Sequence, residues 1–276
     1  MTIHLRERGV RALVLDIEGT TTPIAFVHDV LFSFARTNLR EYVRDHRRAD
    51  DLRAAIGRLR AEWANERGDR PPDWPDPEPE RSVESIVAYV EWLMDRDRKS
   101  PALKWLQGAI WDRGYQAGVL KGEVFADVPP ALDRWRAAGI EIAIYSSGSE
   151  LAQRRLFGTT PSGDLTRFIS RFFDTAVGPK TSPDSYRCIA RSMQRPVEQM
   201  LFVSDVAAEL DAAQSAGWQV VLCVRPGHEP PAPGTEPPAP GTEHQALASS
   251  TRHLHPAPGT QHHSPSVVHR FDEIVL

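Results

Sequence analysis

The sequence predicts an α/β fold, a Rossmann-like parallel sheet core with an all-helical domain inserted after the first strand. Two patterns support this prediction. From Ala126 onwards, short apolar runs alternate with amphipathic helical stretches, an order typical of parallel strands joined by crossover helices. Between Pro23 and Glu123, apolar residues instead recur at helical spacing, which predicts helices only.

The first predicted strand, residues 12–15, is a short run of small and apolar residues that ends at Asp16. Such a run is typical of a strand buried on both faces of a parallel sheet. Ligands bind beyond the carboxyl ends of strands in open α/β sheets, so the Asp16 carboxylate lies where chemistry is expected. Gly19 permits a tight reversal in the loop that follows. The alternative use of Asp16 is to cap the next helix or turn.

The remaining core strands are predicted from apolar runs between helices. They cover residues 140–145, 172–173, 200–203 and 218–224. The strands alternate with helices that end at glycines, which is the order expected of a parallel sheet covered on both sides.

Composition divides the chain into five segments. Residues 1–22 hold the first core strand and its loop, 23–123 the helical domain, and 124–228 the other core strands. Residues 229–265 are expected to be a disordered insertion, because they repeat a Pro, Gly and Thr unit that cannot form a packed core. Residues 266–276 regain an apolar pattern and should dock on the core.

The insertion and its flanks also hold seven of the ten histidines. Adventitious metal binding is one interpretation of this cluster, but the spacing is irregular and no cysteine or acidic box accompanies it. A disordered insertion is the interpretation we prefer.

Composition also limits the class of function. The chain has 276 residues and a net charge of -4, so no global positive field attracts nucleic acid or a membrane surface. Its two cysteines do not form a disulfide framework, and its amino terminus lacks the apolar run of a signal peptide. We therefore expect a cytoplasmic protein without nucleic-acid or membrane partners.

Polar residues follow each predicted core strand and should meet at one edge of the sheet. Asp16 follows the first strand, Ser146 and Ser147 the second, Lys180 the third and Asp205 the fourth. Two close carboxylates repel unless a cation lies between them, and oxygen ligands of this kind suit Mg²⁺. A lysine nearby suits a phosphate group. The set indicates phosphoryl chemistry.

Four motifs in this order resemble the haloacid dehalogenase superfamily and, within it, the enolase-phosphatases of methionine salvage. The motifs are DIEGTT at 16–21, YSSGS at 145–149, Lys180 ahead of the SY at 185–186, and SDVAAELDAA at 204–213. The resemblance covers nearly all of the chain except about 229–265. It implies a haloacid dehalogenase-like core and a helical cap over the active site.

The resemblance also implies the reaction. Enolase-phosphatases enolise 2,3-diketo-5-methylthiopentyl 1-phosphate and then remove its phosphate, which gives the acireductone 1,2-dihydroxy-3-keto-5-methylthiopentene. Asp16 would be the nucleophile that forms an aspartyl-phosphate, and Glu18 the general acid and base. One Mg²⁺ per subunit would be held by Asp16, the main-chain carbonyl of Glu18, and Asp205.

The same resemblance makes Ser146, Ser147 and Lys180 the groups that bind the substrate and its phosphate. The two serines have an alternative use as caps of the helix that follows. Glu209 either orients water near the metal or caps a helix, and we leave it outside the metal shell. His28 has a catalytic or a structural role.

Two other functions remain open at this point. A Mg²⁺-dependent phosphatase of another small phosphate ester would use the same core. A scaffold that docks its PAPGT repeats on a partner is the alternative that is not an enzyme. We expect a monomer that acts on a small-molecule phosphate ester.

Overall fold

A computed structural model describes residues 2–75, 83–98, 100–227 and 265–276, and all structural statements below concern these residues. The insertion predicted at 229–265 therefore lies, but for Pro265, outside the described part of the chain.

The core is one parallel sheet of six strands, with a separate parallel pair beside it. The sheet order is β4-β3-β2-β5-β6-β7, and β1 pairs with β8. The strands are β1 (Ile3–His4), β2 (Ala12–Leu15), β3 (Glu141–Tyr145), β4 (Arg171–Phe173), β5 (Met200–Ser204), β6 (Gln219–Cys223), β7 (Ser266–Val268) and β8 (Ile274–Val275).

Helices connect the strands within the described ranges, in the places where helical spacing predicts them. The helices are α1 (Ser33–His46), α2 (Asp50–Ala64), α3 (Val83–Asp95), α4 (Pro101–Gln116), α5 (Val128–Ala137), α6 (Glu150–Gly158), α7 (Pro183–Met193) and α8 (Ala207–Ser215). A π-helical turn, Phe26–Phe32, precedes α1 where the sequence predicts an ordinary amphipathic helix. None of the helices within the described ranges has the length and apolar character needed to cross a bilayer.

Strand β2 lies at the centre of the sheet, as its uniformly apolar sequence predicts. Leu13 and Leu15 pack on one face of the sheet with α5, α6 and the C-terminal residues. Ala12 and Val14 pack on the other face with α7 and α8. Burial on both faces fixes the strand, and its carboxyl end therefore holds Asp16 at a defined place.

The helical region from 26 to 116 has a hydrophobic core of its own, made by α1, α2, α3 and α4. Its buried residues include Leu39, Ile56, Val90 and Leu106, each no more than 1% exposed. Phe26, Leu31 and Tyr115 at the two ends of this region pack instead into the core of the sheet, so the region is attached to the sheet there.

The last twelve residues add one strand to the main sheet and one strand to the separate pair. β7 pairs in parallel with β6, and β8 pairs in parallel with β1. Trp135 on α5 donates from Nε1 to the carbonyl of Ile274 at 3.0 Å, and its ring lies 5.3 Å from that of Phe271. The sequence prediction misses β1, because a two-residue strand forms only through its pairing with the opposite end of the chain.

Candidate active site

Sheet order brings the predicted site residues to one crevice. β2 lies between β3 and β5, and Leu15 is in register with both Ile144 and Val203. Asp16 therefore leaves the sheet beside the loop after β3 and beside Asp205 after β5. Lys180 reaches the same place from the loop between β4 and α7.

The Asp16 carboxylate is buried and held by three donors. Oδ1 accepts from the backbone amide of Ile17 at 2.7 Å and pairs with Nζ of Lys180 at 2.6 Å. Oδ2 accepts from the Ser204 hydroxyl at 3.1 Å. Three donors on a side chain that is 6% exposed fix the plane of this carboxylate.

Lys180 joins two carboxylates. Its Nζ lies 2.6 Å from Oδ1 of Asp16 and 2.6 Å from Oε2 of Glu209, and its side chain is 10% exposed. Burial disfavours the charged ammonium, but the two carboxylates outweigh burial and raise the pKa of Lys180. This lysine is therefore a fixed positive charge across the neutral pH range.

Three hydroxyl groups hold the loop that carries Lys180. Tyr145 donates to the carbonyl of Gly178 at 2.9 Å, Ser185 to that of Pro179 at 2.8 Å, and Tyr186 to that of Lys180 at 2.7 Å. All three donors are buried, and Tyr145 and Tyr186 are 0% exposed. The SY pair after Lys180 thus fixes the main chain on which the lysine is mounted.

Asp205 lies directly under the loop that follows Asp16. A β-carbon at Gly19 would overlap the Asp205 carboxylate, and Gly19 has a φ of +70° that favours glycine. Burial, and then the nearby Asp16 carboxylate, raise the pKa of Asp205 to about 7. Its Oδ1 is buried and has no hydrogen-bond partner among the described residues. An unpaired carboxylate oxygen of this kind is suited to a cation.

Glu18 lies at the outer side of the crevice and pairs with His28. Nε2 of His28 lies 3.0 Å from Oε1 of Glu18, and the two side chains are 56% and 44% exposed. Burial is the main cause that raises the pKa of Glu18, and His28 opposes it. His28 belongs to the π-helical turn, a rare structure that is frequent at functional sites.

The two predicted substrate serines lie in the loop between β3 and α6. Ser146 is buried, and its Oγ accepts from the amide of Gly148 at 3.2 Å. Ser147 is exposed. The cap of α6 is Ser149, which accepts from the amide of Ala152 at 3.3 Å, so the alternative use of Ser146 and Ser147 as helix caps is wrong.

Residues 10–217 match a model of haloacid dehalogenase-like hydrolases. An enolase-phosphatase E1 of Synechococcus elongatus is 47% identical over 220 residues, which cover 80% of this chain and 91% of that one. The chain belongs to the enolase-phosphatase E1 family of haloacid dehalogenase-like hydrolases. The resemblance found in the motifs is confirmed over most of the sequence.

A second relative and a solved structure give matches of similar extent. The enolase-phosphatase E1 of Drosophila melanogaster is 42% identical over 222 residues, with 80% of this chain and 86% of that one covered. A solved structure, the UTR4 protein of Saccharomyces cerevisiae, superposes with a TM-score of 0.65 at 31% identity and covers 82% of this chain and 95% of that one. The predicted α/β fold with a haloacid dehalogenase-like parallel sheet is confirmed.

A relative from grape is named as a bifunctional protein. This probable bifunctional methylthioribulose-1-phosphate dehydratase/enolase-phosphatase of Vitis vinifera is 47% identical over 236 residues. The match covers 82% of the present chain but 45% of the grape protein, so the chain corresponds to less than half of that relative.

The side chains of Ser204 and Glu209, which lie outside the predicted set, contact the buried ion pair. Ser204 lies within hydrogen-bond distance of both Asp16 and Glu209, at 3.1 Å and 3.0 Å. Glu209, left outside the predicted site, is the second partner of Lys180. Both belong to the SDVAAE stretch, in which Glu209 lies four residues beyond Asp205 and so one helical turn away. That spacing was the available signal for Glu209.

Contacts among the described residues join the helical region to the loops of the crevice. His28 reaches Glu18, Nζ of Lys104 lies 3.2 Å from the hydroxyl of Thr175, and Gly108 on α4 faces Ser149. A cavity of about 270 Å³ opens within this region and has His28 in its wall. Phe32, Leu93, Met94 and Leu103 are its apolar lining residues.

Proposed function

We propose that this protein is a Mg²⁺-dependent enolase-phosphatase that converts 2,3-diketo-5-methylthiopentyl 1-phosphate to the acireductone and phosphate, in methionine salvage. The observation that carries the proposal is the buried Asp16 carboxylate, paired with Lys180 at 2.6 Å, in a chain 47% identical to an enolase-phosphatase. The grape relative supports the substrate, since dehydration of methylthioribulose 1-phosphate yields a diketone phosphate of this kind.

Asp16 is the proposed nucleophile. One carboxylate oxygen forms a bond to phosphorus, the ester bond to the enol oxygen breaks, and water then hydrolyses the aspartyl-phosphate to regenerate Asp16. The hydrogen bonds from Ile17 and Ser204 orient the carboxylate before the attack. Lys180 places a positive charge beside the oxygens of the transferring group.

Glu18 is the proposed general acid and base. Burial raises its pKa, so a larger fraction of the side chain carries a proton near neutral pH. The protonated form donates to the leaving enol oxygen, and the ionised form then accepts a proton from the attacking water. Its 44% exposure gives both substrate and water access to the carboxyl group.

The donor set fits one Mg²⁺ per subunit. Asp16 and Asp205 supply two carboxylates, and Oδ1 of Asp205 is buried with no hydrogen-bond partner among the described residues. No group of three or more His, Cys, Asp or Glu side chains suited to a metal occurs within the described ranges. The proposed site consists of the Asp16 and Asp205 carboxylates, the Glu18 carbonyl and water. It therefore contains two side chains of these types, one fewer than such a group. When bound, the ion would neutralise charge between the phosphate and Asp16.

Ser146, Ser147 and Lys180 are the proposed contacts to the phosphate and to the substrate oxygens. The helical region acts as the cap, because it meets three loops of the crevice and would exclude water from a reactive enol. We further infer that the protein is a cytoplasmic monomer whose partner is a small phosphate ester and not nucleic acid or a membrane.

A comparison of substrates tests the proposal. Phosphate release and acireductone formation would be measured on the diketone phosphate and on a panel of sugar phosphates, each with Mg²⁺. We expect coupled formation of both products from the diketone phosphate and a rate on sugar phosphates at least about a hundredfold lower, since transition-state contacts set such ratios. Equal rates on sugar phosphates would instead support a phosphatase of another small ester.

A further inference from the structure

Arg225 is a buried charge that the proposed mechanism does not use. It lies two residues beyond β6, and its side chain is 2% exposed. Nη1 pairs with Oδ2 of Asp127 at 2.7 Å, and the Asp127 side chain is 4% exposed. A buried ion pair is weak as a source of stability, because removing two charges from water costs about as much as their attraction returns. The rest of its contacts indicate what the pair does.

The guanidinium binds the loop that follows Asp16. Nε and Nη2 of Arg225 donate to the same carbonyl oxygen, that of Thr20, at 2.8 Å and 2.6 Å. The loop also closes on itself, since the amide of Thr22 donates to the carbonyl of Ile17 at 2.8 Å. The Thr21 hydroxyl donates to the carbonyl of Asp16 at 2.9 Å. A shift of Thr20 would therefore reach the backbone of Asp16.

Arg225 and Asp127 also join two further segments to this loop. The guanidinium carbon lies 4.2 Å from the centre of the Phe125 ring, in the connection that returns from the helical region. It lies 4.6 Å from the centre of the Phe271 ring, in the C-terminal segment. The amide of Phe271 donates to Oδ2 of Asp127 at 2.6 Å.

We propose that Arg225 is a positioning residue that fixes the loop of residues 17–22 against the return connection and the C-terminal segment. The inference rests on the nucleophile role proposed for Asp16. Its physical basis is the planar fork of the guanidinium, which directs two N–H groups at Thr20 and a third at Asp127. A lysine has one nitrogen and cannot reproduce that arrangement.

Arg134 provides a matched control. Its Nη2 donates to the carbonyl of Phe271 at 3.2 Å and to that of Ile274 at 3.5 Å. It therefore attaches the same C-terminal segment from α5, and its hydrogen bonds are to that segment and not to residues 17–22. Loss of Arg134 loosens the segment alone, whereas loss of Arg225 also releases the loop.

The test compares Arg225→Lys with Arg134→Met in the full-length protein. Amide hydrogen exchange of peptides that span residues 12–22 would be measured without substrate, and kcat and KM with the diketone phosphate. We expect Arg225→Lys to speed exchange of residues 17–22 and to lower kcat about ten- to a hundredfold with KM within about twofold, because the nucleophile is misplaced. Arg134→Met lowers Tm but leaves kcat and loop exchange unchanged.

A second variant keeps the inference testable if Arg225→Lys does not fold. Arg225→Met with Asp127→Asn removes both charges together, so no uncompensated charge stays buried. It should show the same faster exchange and the same loss of kcat. If a folded variant shows the hydrogen exchange of the wild type at residues 17–22 and the kcat of the wild type, the inference is overturned. Exchange needs no substrate, so inactivity of the wild type on the diketone phosphate would contradict only the proposed function.

Discussion

Two pairs of polar side chains lie in the same crevice, and they differ in how far water reaches them. The inner pair, Lys180 and Asp16, has side chains that are 10% and 6% exposed. The outer pair, His28 and Glu18, has side chains that are 56% and 44% exposed. An electrostatic interaction is stronger and less screened where water is excluded. The inner pair is thus suited to hold charge in place, whereas Glu18 of the outer pair is open to substrate and water.

The supports of the two pairs differ in the same way. The main chain of Lys180 is fixed by Tyr186, and the Asp16 carboxylate is held by Ile17 and Ser204. His28 belongs to a π-helical turn at the start of the helical region, so its contact with Glu18 crosses from that region to the core. The outer pair therefore depends on where the helical region lies, whereas both members of the inner pair belong to the core.

Asp16→Asn should give the largest effect. The amide keeps the size of the side chain but is a poor nucleophile, so phosphate release should fall at least about 10³-fold. Tm should stay close to that of the wild type, since Lys180 retains Glu209 as a partner. Phosphate release within tenfold of the wild type would remove Asp16 from the chemistry.

Asp205→Asn should lower activity about 10²- to 10³-fold and yet raise Tm in the presence of a chelator. The pKa of Asp205 is raised to about 7 from 3.8 by burial, so between these values the folded protein binds more protons than the unfolded one. The free energy of unfolding therefore falls as pH rises through this window. The gain in Tm should appear at about pH 8 and disappear below about pH 4, and a gain independent of pH would contradict the assignment.

Lys180→Met should lower kcat about 10²-fold, because the transferring group loses its fixed positive charge. The substitution also leaves Asp16 and Glu209 facing each other without the ammonium, so Tm should fall. Lys121→Met, a change at an exposed lysine, is the matched control and should keep both kcat and Tm. Equal effects of the two substitutions would show that the inner pair has no special role.

His28→Gln should give the smallest effect. The amide can still donate to Glu18, and an exposed pair contributes little, so kcat should change by less than about tenfold. A loss of kcat as large as that of Lys180→Met would contradict the comparison. His28 would then be needed for a step of the reaction that Glu18 alone cannot perform. The two variants would be assayed side by side with the same substrate and Mg²⁺ concentration.

Much of the fold follows from the sequence, because its signals are local. The buried run at 12–15 predicts β2, and the position of Asp16 beyond it follows from strand polarity alone. The π-helical turn does not follow, since a seven-residue segment does not distinguish a π-helix from an α-helix by periodicity. The site residues were predicted because each follows a predicted strand and belongs to a motif.

The contacts that support the site depend on tertiary packing. Arg225 follows an apolar strand and its sequence neighbours give no sign of burial, while its partner Asp127 lies 98 positions earlier. Ser204 donates to a carboxylate 188 positions away. Such pairs form only when the strands are assembled, so spacing in one sequence does not reveal them.

The central claim is that Asp16 receives the phosphoryl group in this crevice. The most direct test is to quench the wild-type enzyme in acid during turnover of the diketone phosphate with Mg²⁺ and to locate phosphate on its peptides by mass spectrometry. A phosphoryl group on Asp16 that disappears when substrate is exhausted is the expected result. Rapid turnover with phosphate on another residue, and none on Asp16 at any quench time, would contradict the claim.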